Sequence, residues 1–487
     1  MSRINGVLLQ FFEWYLPPNA KHWKKVAKLA KELNEKGFTS VWLPPAYKCS
    51  GGIYDTGYAV YDLYDLGEFN QKGTIPTKYG TKDEYLEAIQ ELQKNNIYVL
   101  ADIVLNHRIG ADATEKVLAI QNNPSNRNEE IGKEELITAW TKYNFSGRNN
   151  KYSSFKWNWT HFHGVDWDEE NDKKSIYRFV KKEWDKSVDK ENGNFDYLMG
   201  ADVDVKNEEV INELNSWGSW YIKFTGVDGF RLDALKHIDS SFFEGWLTNL
   251  RRNSNKELFA VGEYWNTNIE VLKEYLKNVN YSMSLFDVPL HYHFYEAATT
   301  NGSYDMSKIF DNTVTQIYPD KSVTFVDNHD TQPGQGIESW IPEWFRPLAY
   351  ALILLRFQGY PCVFYGDYFG ISHDNINPIS TTLDIFLYLR KNLCYGTQKD
   401  YLDNNNIIGW TLSGDDEHPN SGFAVVLSNG EGGAKQMNVG KNLANCVLYD
   451  ITRNLKETVY VDNDGNGIFY TKGGSVSVWV KKDIVAE

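Results

Sequence analysis

The stretch at residues 229–237 reads GFRLDALKH and sets two charged side chains in an apolar, strand-like run. Arg231 and Asp233 stand two residues apart, so they face the same side of a β-strand. A permanent cation next to a carboxylate favours its ionised form, and an ionised carboxylate in a shielded site can act as a nucleophile. A buried structural ion pair is the alternative interpretation of these two residues.

Seven further apolar runs lie along the chain, and helical segments separate them. Continuous apolar strands that alternate with helices are typical of a parallel sheet covered on both faces, and eight such units close into a barrel. The sequence therefore predicts an α/β protein built on a (β/α)8 TIM barrel. The predicted strands lie in residues 7–12, 40–45, 98–104, 229–234, 258–265, 284–290, 322–329 and 362–367.

Two helices between the early strands can be predicted together with their ends. The first has an apolar stripe formed by Trp23, Val26, Ala30 and Leu33. Gly37 follows it and can adopt the left-handed conformation that ends a helix. Thr81 and Glu84 have the spacing of a capping box, which predicts the start of the second helix.

Two regions do not fit a simple barrel and predict additional domains. Residues 105–228 between the third and fourth strands are too many for one crossover, so a subdomain is inserted there. After about residue 397 the chain changes to short alternating segments separated by Gly, Asn and Asp, which is typical of antiparallel β-structure. We therefore predict a barrel in two parts, 1–105 and 209–397, an inserted domain at 106–208, and a C-terminal β-sandwich at 398–487.

Charge and cysteine content narrow the classes of partner and compartment. The chain carries 50 Lys and Arg against 65 Asp and Glu, a net charge of −15, which repels nucleic acids and anionic membranes. No apolar run approaches the roughly 20 residues of a membrane span, and the first residues do not resemble a secretory leader. The four cysteines are scattered, as in a reduced cytoplasmic protein, although a secreted protein whose leader had been removed would look the same. They are Cys49, Cys362, Cys394 and Cys446.

Acidic residues stand where three predicted strands end, namely Asp233, Glu263 and Asp330. In such barrels the reactive groups lie at the carboxyl ends of the strands, so we expect these three side chains to share one rim. Facing carboxyl groups are the chemistry of glycosidic bond cleavage. We predict that Asp233 is ionised and that the apolar neighbours Tyr264 and Trp265 raise the pKa of Glu263 towards that of a proton donor.

The strand-end segments 102–107, 229–237, 261–265 and 327–330 resemble the signature regions of the alpha-amylase family of glycoside hydrolases, closest to the bacterial liquefying type. Segments 197–204 and 325–335 resemble it most specifically, and the resemblance runs from residue 10 to residue 477. It implies a retaining mechanism in which Asp233 is the nucleophile, Glu263 the acid and base, and Asp330 a transition-state stabiliser. It also implies substrate contacts by Arg231, His107, His329, Tyr58, Lys236 and His237.

The resemblance implies a structural calcium ion as cofactor where the barrel meets the inserted domain. Its ligands would be Asn106, Asp196, Asp202 and the backbone carbonyl of His237, which are oxygen donors of the kind calcium prefers. Liquefying relatives often have a second metal cluster beside it, but here His163 and Lys206 replace the expected acids. An ammonium group cannot ligate calcium, so we hypothesise that Asp185 and Asp204 lack a full metal cage and that Lys206 forms an ion pair there.

A further departure lies near the C-terminal domain. Asn406 and Asn429 stand where some relatives have calcium-binding aspartates. Because two charges are lost, we expect this second site to be weakened.

The resemblance predicts endo-hydrolysis of α-1,4-glucosidic bonds in starch, glycogen or maltodextrins by a monomer whose partner is the glucan. A maltooligosaccharide-forming or transglycosylating relative is an alternative, because water or a sugar hydroxyl can take up the same covalent intermediate. A non-catalytic carbohydrate-binding barrel is a second alternative, since a fold does not imply a function. A third is a metal-dependent hydrolase that uses His107, His237 and His329 with carboxylates.

Overall fold

The structure is a computed structural model that describes residues 5–481. Eight parallel strands form a closed barrel in which each strand pairs with its neighbours in sequence and β8 closes onto β1. The strands are β1 (Leu8–Gln10), β2 (Ser40–Leu43), β3 (Tyr98–Ile103), β4 (Gly229–Leu232), β5 (Phe259–Gly262), β6 (Ser284–Phe286), β7 (Ser322–Phe325) and β8 (Tyr360–Phe364). This confirms the predicted barrel.

Several strands end earlier than their apolar runs predict. β5, for example, stops at Gly262, whereas the predicted run continues to residue 265. The residues just beyond the paired strands include buried side chains such as Phe12, Val104, Tyr264 and Val326. Apolar character therefore extends past the last paired residue and cannot mark where pairing ends.

Helices surround the barrel. They are α1 (His22–Lys36), α2 (Lys82–Lys94), α3 (Glu208–Thr225), α4 (Ser240–Ser254), α5 (Ile269–Asn278), α6 (Val288–Thr299), α7 (Val314–Ile317), α8 (Arg346–Leu354), α9 (Tyr365–Phe369) and α10 (Ser380–Asn392). The predicted ends of the first two are confirmed. Gly37 follows α1 with φ 111°, and its N–H donates to the carbonyls of Leu33 and Asn34. Thr81 and Glu84 form the reciprocal bonds of a capping box at α2.

A six-stranded sheet occupies the chain between β3 and β4. Its strands are His107–Arg108, Ala113–Asn123, Asn126–Lys142, Phe162–Asp168, Lys173–Phe179 and Ala201–Val203. The last strand pairs with both His107–Arg108 and Phe162–Asp168. Asp202 is thereby set opposite His107, four residues after the end of β3. The inserted sheet thus begins and ends beside the rim of the barrel.

The C-terminal region is antiparallel. Six strands form one sheet, namely Gln398–Tyr401, Ile407–Leu412, Phe423–Ser428, Val447–Asp450, Thr458–Tyr460 and Ser475–Lys481, and Gly433–Asn438 pairs with Asn466–Thr471 in a second. Buried residues between the two sheets include Val426, Met437, Phe469 and Trp479. This confirms a C-terminal β-domain. None of the helices within residues 5–481 combines the length and the apolar composition needed to cross a membrane.

Paired amides join the C-terminal region to the barrel. Asn406 Nδ2 donates to Asn429 Oδ1 at 2.8 Å and to the carbonyl of Gly302 at 2.7 Å. Asn429 Nδ2 donates to the carbonyl of Tyr304 at 3.0 Å. The two asparagines therefore satisfy each other and the loop after α6 without any charge.

Candidate active site

A cleft of about 730 Å³ opens at the carboxyl ends of the barrel strands. Eight of the predicted catalytic and substrate-binding residues line it, namely Tyr58, His107, Asp233, Lys236, His237, Glu263, His329 and Asp330. Arg231 lies beneath them and is 1% exposed. The structure therefore brings together all nine residues that the sequence analysis assigned to catalysis and substrate binding.

The backbone at two strand ends aims Asp233 and Glu263 at the same space. The amide N–H of Asp233 donates to the carbonyl of Ile103, and that of Glu263 donates to the carbonyl of Leu232, so both residues continue the barrel ladder by one step. Ala234 then turns the chain with φ 55°, a left-handed conformation that is rare for a residue with a side chain. Such strain is found where the surrounding structure fixes a functional geometry.

The turn that follows β7 presents Asp330. Asn328 Oδ1 accepts hydrogen bonds from the backbone N–H of Asp330 at 2.8 Å and of Thr331 at 2.9 Å. Asp327 Oδ1 accepts from Thr331 Oγ1 at 2.9 Å. The DNHD segment therefore builds its own tight turn, and the carboxylate of Asp330 faces the cleft.

Arg231 contacts three carboxylates at once. Its Nη1 lies 3.0 Å from Asp102 Oδ1 and 2.5 Å from Asp233 Oδ1, and its Nη2 lies 2.6 Å from Glu263 Oε2. The sequence analysis predicted only the contact with Asp233. Asp102 also accepts from Trp42 Nε1 and Tyr58 OH, each at 2.9 Å. The structural ion pair and the active-site pair thus share one guanidinium.

Burial raises the pKa values of all three acids. Burial raises the pKa of Asp233 above its ordinary value, and the positive charge of Arg231 limits the rise. Burial also raises the pKa of Glu263, with Arg231 opposing and the charge of Asp233 adding to the rise. The pKa of Asp330 is raised well above its ordinary value by burial and by Glu263. The raised pKa of Glu263 agrees with the expectation for a proton donor.

Neutral imidazoles line the same cleft. The pKa of His107 is lowered to about 4 and that of His237 to about 3, in both cases by burial. One ring nitrogen of each bonds a backbone carbonyl, of Tyr58 at 2.8 Å and of Phe195 at 2.7 Å. Burial also lowers the pKa of His329, whose Nδ1 contacts Gln10 Nε2 at 3.0 Å. His107 Nδ1 also lies 3.3 Å from Asn106 Nδ2, and His329 Nε2 lies 3.3 Å from Asp330 Oδ2, so the protein contacts both nitrogens of these two rings.

An aromatic floor closes one side of the cleft. Tyr58, Trp14 and His329 form a group of nearly parallel rings: the Tyr58 centroid lies 6.0 Å from Trp14 and 5.1 Å from His329, with interplanar angles of 5° and 11°, and Trp14 lies 6.1 Å from His329. The resemblance predicted that Tyr58 contacts the substrate, but Trp14 was not predicted. The available signal was its position in the segment QFFEWY, residues 10–15, which begins at the end of β1.

Lys236 contacts the inserted segment. Its Nζ lies 2.7 Å from Glu191 Oε2 and 3.3 Å from the carbonyl of Trp265. Glu191 also lines the cleft and was not predicted. No sequence pattern connects residue 191 with residue 236, so only the folded chain reveals the contact.

Two of the four predicted calcium ligands lie in one acidic cluster. Asp196, Asp202 and His163 offer ligand atoms within 4.8 Å of one another. Asn106 and His237 adjoin it through neighbours, since the carbonyl of Asn106 accepts from Val203 N–H at 2.9 Å and the His237 ring contacts Phe195. Within residues 5–481 this is the one group of three or more His, Cys, Asp or Glu side chains suited to a metal, so His107, His237 and His329 do not form the metal centre of the third alternative.

The donor set fits one hard cation. Burial raises the pKa of Asp202 to about 7, and burial together with the charge of Asp202 raises the pKa of Asp196. Two buried carboxylates that repel each other are stabilised by a cation between them, and their oxygen atoms suit calcium.

Protein cations contact these acids and their neighbours. His163 Nδ1 lies 3.0 Å from Asp202 and 3.2 Å from Asp196, and its Nε2 lies 3.3 Å from Asp204. Lys206 Nζ lies 2.9 Å from Asp185 and 2.8 Å from Asp239, which is the ion pair that the sequence analysis hypothesised. Asp204 is paired with a residue that was not predicted. Its partner is Lys182, whose Nζ lies 2.6 Å away. The donor set therefore does not fit a second metal cluster.

Family models match most of the chain. The model described as alpha amylase, catalytic domain, matches residues 24–407, and the model described as alpha-amylase C-terminal matches residues 423–480. Among solved structures, a crystal structure of alpha-amylase from Geobacillus thermoleovorans complexed with acarbose aligns over 100% of both chains with a TM-score of 0.65 and 19% identity, which supports the fold alone.

Three relatives are similar over nearly the whole chain. An alpha-amylase from Geobacillus stearothermophilus is 54% identical over 98% of this chain and 87% of its own length. A glucan 1,4-alpha-maltohexaosidase from Bacillus sp. (strain 707) is 51% identical over 98% of this chain and 93% of its own. A cytoplasmic alpha-amylase from Escherichia coli (strain K12) is 42% identical over 99% of this chain and 100% of its own.

Proposed function

Since the chain belongs to the alpha-amylase family and is a glycoside hydrolase that cleaves internal α-1,4-glucosidic bonds, we propose that Asp233, Glu263 and Asp330 carry out this cleavage by a retaining double displacement. The observation that carries the proposal is that Arg231 holds Asp233 and Glu263 together. Asp233 Oδ1 lies 2.5 Å from one terminal nitrogen of this guanidinium and Glu263 Oε2 lies 2.6 Å from the other, so the two carboxyl groups lie side by side, as the short spacing of a retaining enzyme requires.

In the first step a carboxylate oxygen of Asp233 attacks the anomeric carbon of the sugar. Glu263 gives its proton to the glycosidic oxygen, the bond to the leaving sugar breaks, and a covalent glycosyl–Asp233 ester forms. In the second step Glu263 takes a proton from water, the resulting hydroxide attacks the anomeric carbon, and Asp233 leaves as a carboxylate. Retention follows because the anomeric carbon is inverted twice.

The remaining side chains of the cleft would bind and orient the sugar. Tyr58 presents an aromatic face, to which the apolar face of a pyranose ring can stack. His107 and His329 would place neutral rings beside the bound sugar, and Asp330 accepts hydrogen bonds that strengthen as positive charge develops on the ring. Lys236 and His237 line the far side, where the leaving part of the glucan would lie.

A calcium ion held by Asp196 and Asp202, with Asn106 and the carbonyl of His237 beside them, would join the inserted segment to the barrel. Both carboxylates are buried and have the raised pKa values that a nearby cation would reverse. His163 and Lys206 take the place of a second ion, so one calcium per chain is expected. Such an ion would fix the shape of the cleft.

The chain is proposed to act as a monomer in the cytoplasm. Support comes from the relative from Escherichia coli, whose name is cytoplasmic alpha-amylase. In the part of the chain that the structure describes, Cys49, Cys362 and Cys446 form no disulfide bond, which agrees with a reducing compartment.

A second candidate is an enzyme that releases maltooligosaccharides of defined length. The relative named glucan 1,4-alpha-maltohexaosidase, 51% identical to this chain, favours it. Both candidates use the same covalent intermediate, and they differ in the products of early digestion.

One experiment tests reaction, linkage and metal together. The protein is incubated with soluble starch, glycogen, pullulan and maltoheptaose, with and without added calcium, and products are separated after brief digestion. Random shortening of starch supports endo-hydrolysis, whereas early release of one oligosaccharide supports the second candidate. No cleavage of starch, glycogen or maltoheptaose with calcium present would contradict both.

A further inference from the structure

Asp189 lies in the inserted segment, outside the residues assigned to catalysis, substrate or metal. Its carboxylate is buried, with 6% of the residue exposed. Oδ2 accepts hydrogen bonds from Tyr264 OH at 2.9 Å and from Asn266 Nδ2 at 3.0 Å. Oδ1 accepts from the backbone N–H of Glu191 at 2.8 Å. Asp189 therefore uses both oxygens, and one of them is devoted to the loop after β5.

That loop, residues 263–268, carries Glu263 at its start, and we call it the acid loop. Tyr264 is buried and packs on Tyr275 of α5, with ring centroids 4.8 Å apart. Asn266 Oδ1 accepts from Asn268 N–H at 2.8 Å. Helix α5 thus fixes one side of the acid loop. Asp189 fixes the other side from a different part of the chain.

The same segment also touches the turn after Asp233. The backbone N–H of Asp189 donates to the carbonyl of Lys236 at 2.9 Å, and Glu191 pairs with the ammonium of Lys236 at 2.7 Å. Asp189 therefore lies between the turn that follows Asp233 and the loop that follows Glu263. It is joined to both by hydrogen bonds.

Asp189 remains a charged acceptor although it is buried. Burial raises its pKa, but hydrogen bonds from Glu191, Tyr264 and Asn266 and the charge of Lys236 outweigh burial and lower the pKa below the ordinary value. Hydrogen bonds to an ionised acceptor are roughly twice as strong as neutral ones. The acid loop is thus held by strong bonds.

We propose that Asp189 is a positioning residue for proton donation by Glu263, acting through Tyr264 and Asn266 to hold the acid loop against the turn that bears Asp233. The inference rests on the proposed role of Glu263 as general acid. Asp189 does not reach the reacting atoms, so its removal should impair the step that needs a proton more than the attack by Asp233.

The test compares two substrates that differ in their need for a proton. Asp189→Ala leaves the Tyr264 hydroxyl and the Asn266 amide without their acceptor, and a displacement of about 1 Å can cost roughly 10²-fold in rate. We expect kcat/KM, which reports bond cleavage up to the covalent intermediate and not the later step that needs a base, to fall roughly 10- to 100-fold on maltoheptaose. On α-maltotriosyl fluoride, whose leaving group needs little protonation, kcat/KM should fall less than about threefold. Equal losses on both substrates, or no loss on either, would overturn the proposal.

Two controls separate the possible failures. Asp228→Ala removes another carboxylate whose Oδ2 accepts two hydrogen bonds, from Gln93 Nε2 and Val99 N–H, each at 2.9 Å, but at the other end of the barrel. It should not discriminate between the substrates. Glu263→Gln is measured in the same assay. If Glu263→Gln fails to discriminate, the proposed acid role is wrong, whereas discrimination by Glu263→Gln but not by Asp189→Ala refutes only the positioning role.

A second variant, Tyr264→Phe, tests the same proposal if Asp189→Ala folds poorly. Tyr264→Phe deletes one hydrogen bond to Asp189 and keeps the ring against Tyr275. Because contacting residues are not independent, the loss in kcat for the double variant should be smaller than the product of the two single losses. Fully multiplicative losses would contradict a shared role.

Discussion

Nη1 of Arg231 lies 2.5 Å from Oδ1 of Asp233, and the same guanidinium also contacts Glu263. One cation therefore lowers the pKa of both carboxyl groups, against the rise caused by burial. A change in this contact should therefore shift the pKa values of the nucleophile and of the proton donor together. Any change at position 231 should appear in both limbs of the pH profile.

Arg231→Gln should move both limbs of the kcat/KM profile to higher pH. Loss of the cation raises the pKa of Asp233, which moves the acid limb to higher pH. It also raises the pKa of Glu263, which moves the basic limb to higher pH. The two limbs belong to the coupled pair. We expect kcat/KM at the optimum to fall about 10²-fold. Arg148→Gln is the control, because Arg148 lies outside the cleft and forms a buried ion pair with Asp62, with 2.9 Å between Nε and Oδ2. If Arg231→Gln left both limbs of the pH profile unchanged, the argument would be refuted.

Asp233→Asn should abolish starch hydrolysis while the fold is preserved. The replacement has the same shape and removes the nucleophile, so kcat should fall about 10⁴-fold or more. Arg231 keeps Asp102 and Glu263 as partners, and the unfolding temperature should change by only a few degrees. A variant that retains most of the wild-type turnover would show that Asp233 is not the nucleophile.

Glu263→Gln should lose roughly 10²- to 10⁴-fold in kcat on starch, which is the usual contribution of general acid catalysis. An activated leaving group should restore much of the loss, because its departure needs little protonation. Added azide should increase turnover with such a substrate by attacking the covalent intermediate without base assistance. Failure of both treatments would count against Glu263 as the acid and base.

Lys206→Met should destabilise the junction between the inserted segment and the barrel. Lys206 bridges Asp185 and Asp239, which are both buried, although the lysine side chain is itself 53% exposed. We expect a loss of about 1 kcal/mol in the free energy of unfolding, because solvent screens part of the interaction. Urea unfolding measures it. Lys186→Met, which removes an exposed pair with Glu183, should have less effect, and equal effects would contradict the bridge.

Acid should destabilise the fold through buried neutral histidines such as His22. Burial lowers the pKa of His22 from 6.5 to about 3, while Nε2 contacts the carbonyl of Phe11 at 2.7 Å. The unfolded chain therefore binds a proton at higher pH than the folded chain does. Stability contributed by the neutral ring is full above pH 6.5 and is lost as pH falls towards 3.

His22→Gln should reduce this dependence. The glutamine amide can still donate to Phe11, but it does not titrate. Between pH 6 and 4 the slope of the unfolding free energy against pH should fall by up to about 1.4 kcal/mol per pH unit. Urea unfolding at several pH values checks it, and a slope equal to that of the wild type would contradict the assignment.

Local patterns were enough to predict much of the fold. The eight apolar runs specify the barrel because a strand buried on both faces must be apolar throughout. The capping box of Thr81 and Glu84 also depends only on near neighbours. By contrast, the last paired residue of β5 depends on where adjacent strands stop. The domain limits at residues 105, 208 and 397 stay a prediction.

The candidate site was predictable only in part. Asp233, Glu263 and Asp330 were found because each ends a strand of the barrel. The contact of Arg231 with Asp102 depends on the register between β3 and β4, where the two residues are direct partners, and no local pattern fixes that register. Asp189 was missed for the same reason, since the residues it holds lie 75 and 77 positions away along the chain.

The inserted segment and the paired amides of Asn406 and Asn429 contact the barrel in different ways, which respond to different conditions. The inserted segment is held by acids paired with His163, Lys182 and Lys206, so protons and salt act on it. The amide pair itself has no charged group for protons or salt to act on, although Arg356 and Asp400 add a charged contact between the barrel and the C-terminal domain. As the pH falls, the ion pairs of the inserted segment should therefore weaken before the amide contacts of Asn406 and Asn429, so the cleft is expected to lose its shape while these contacts still hold.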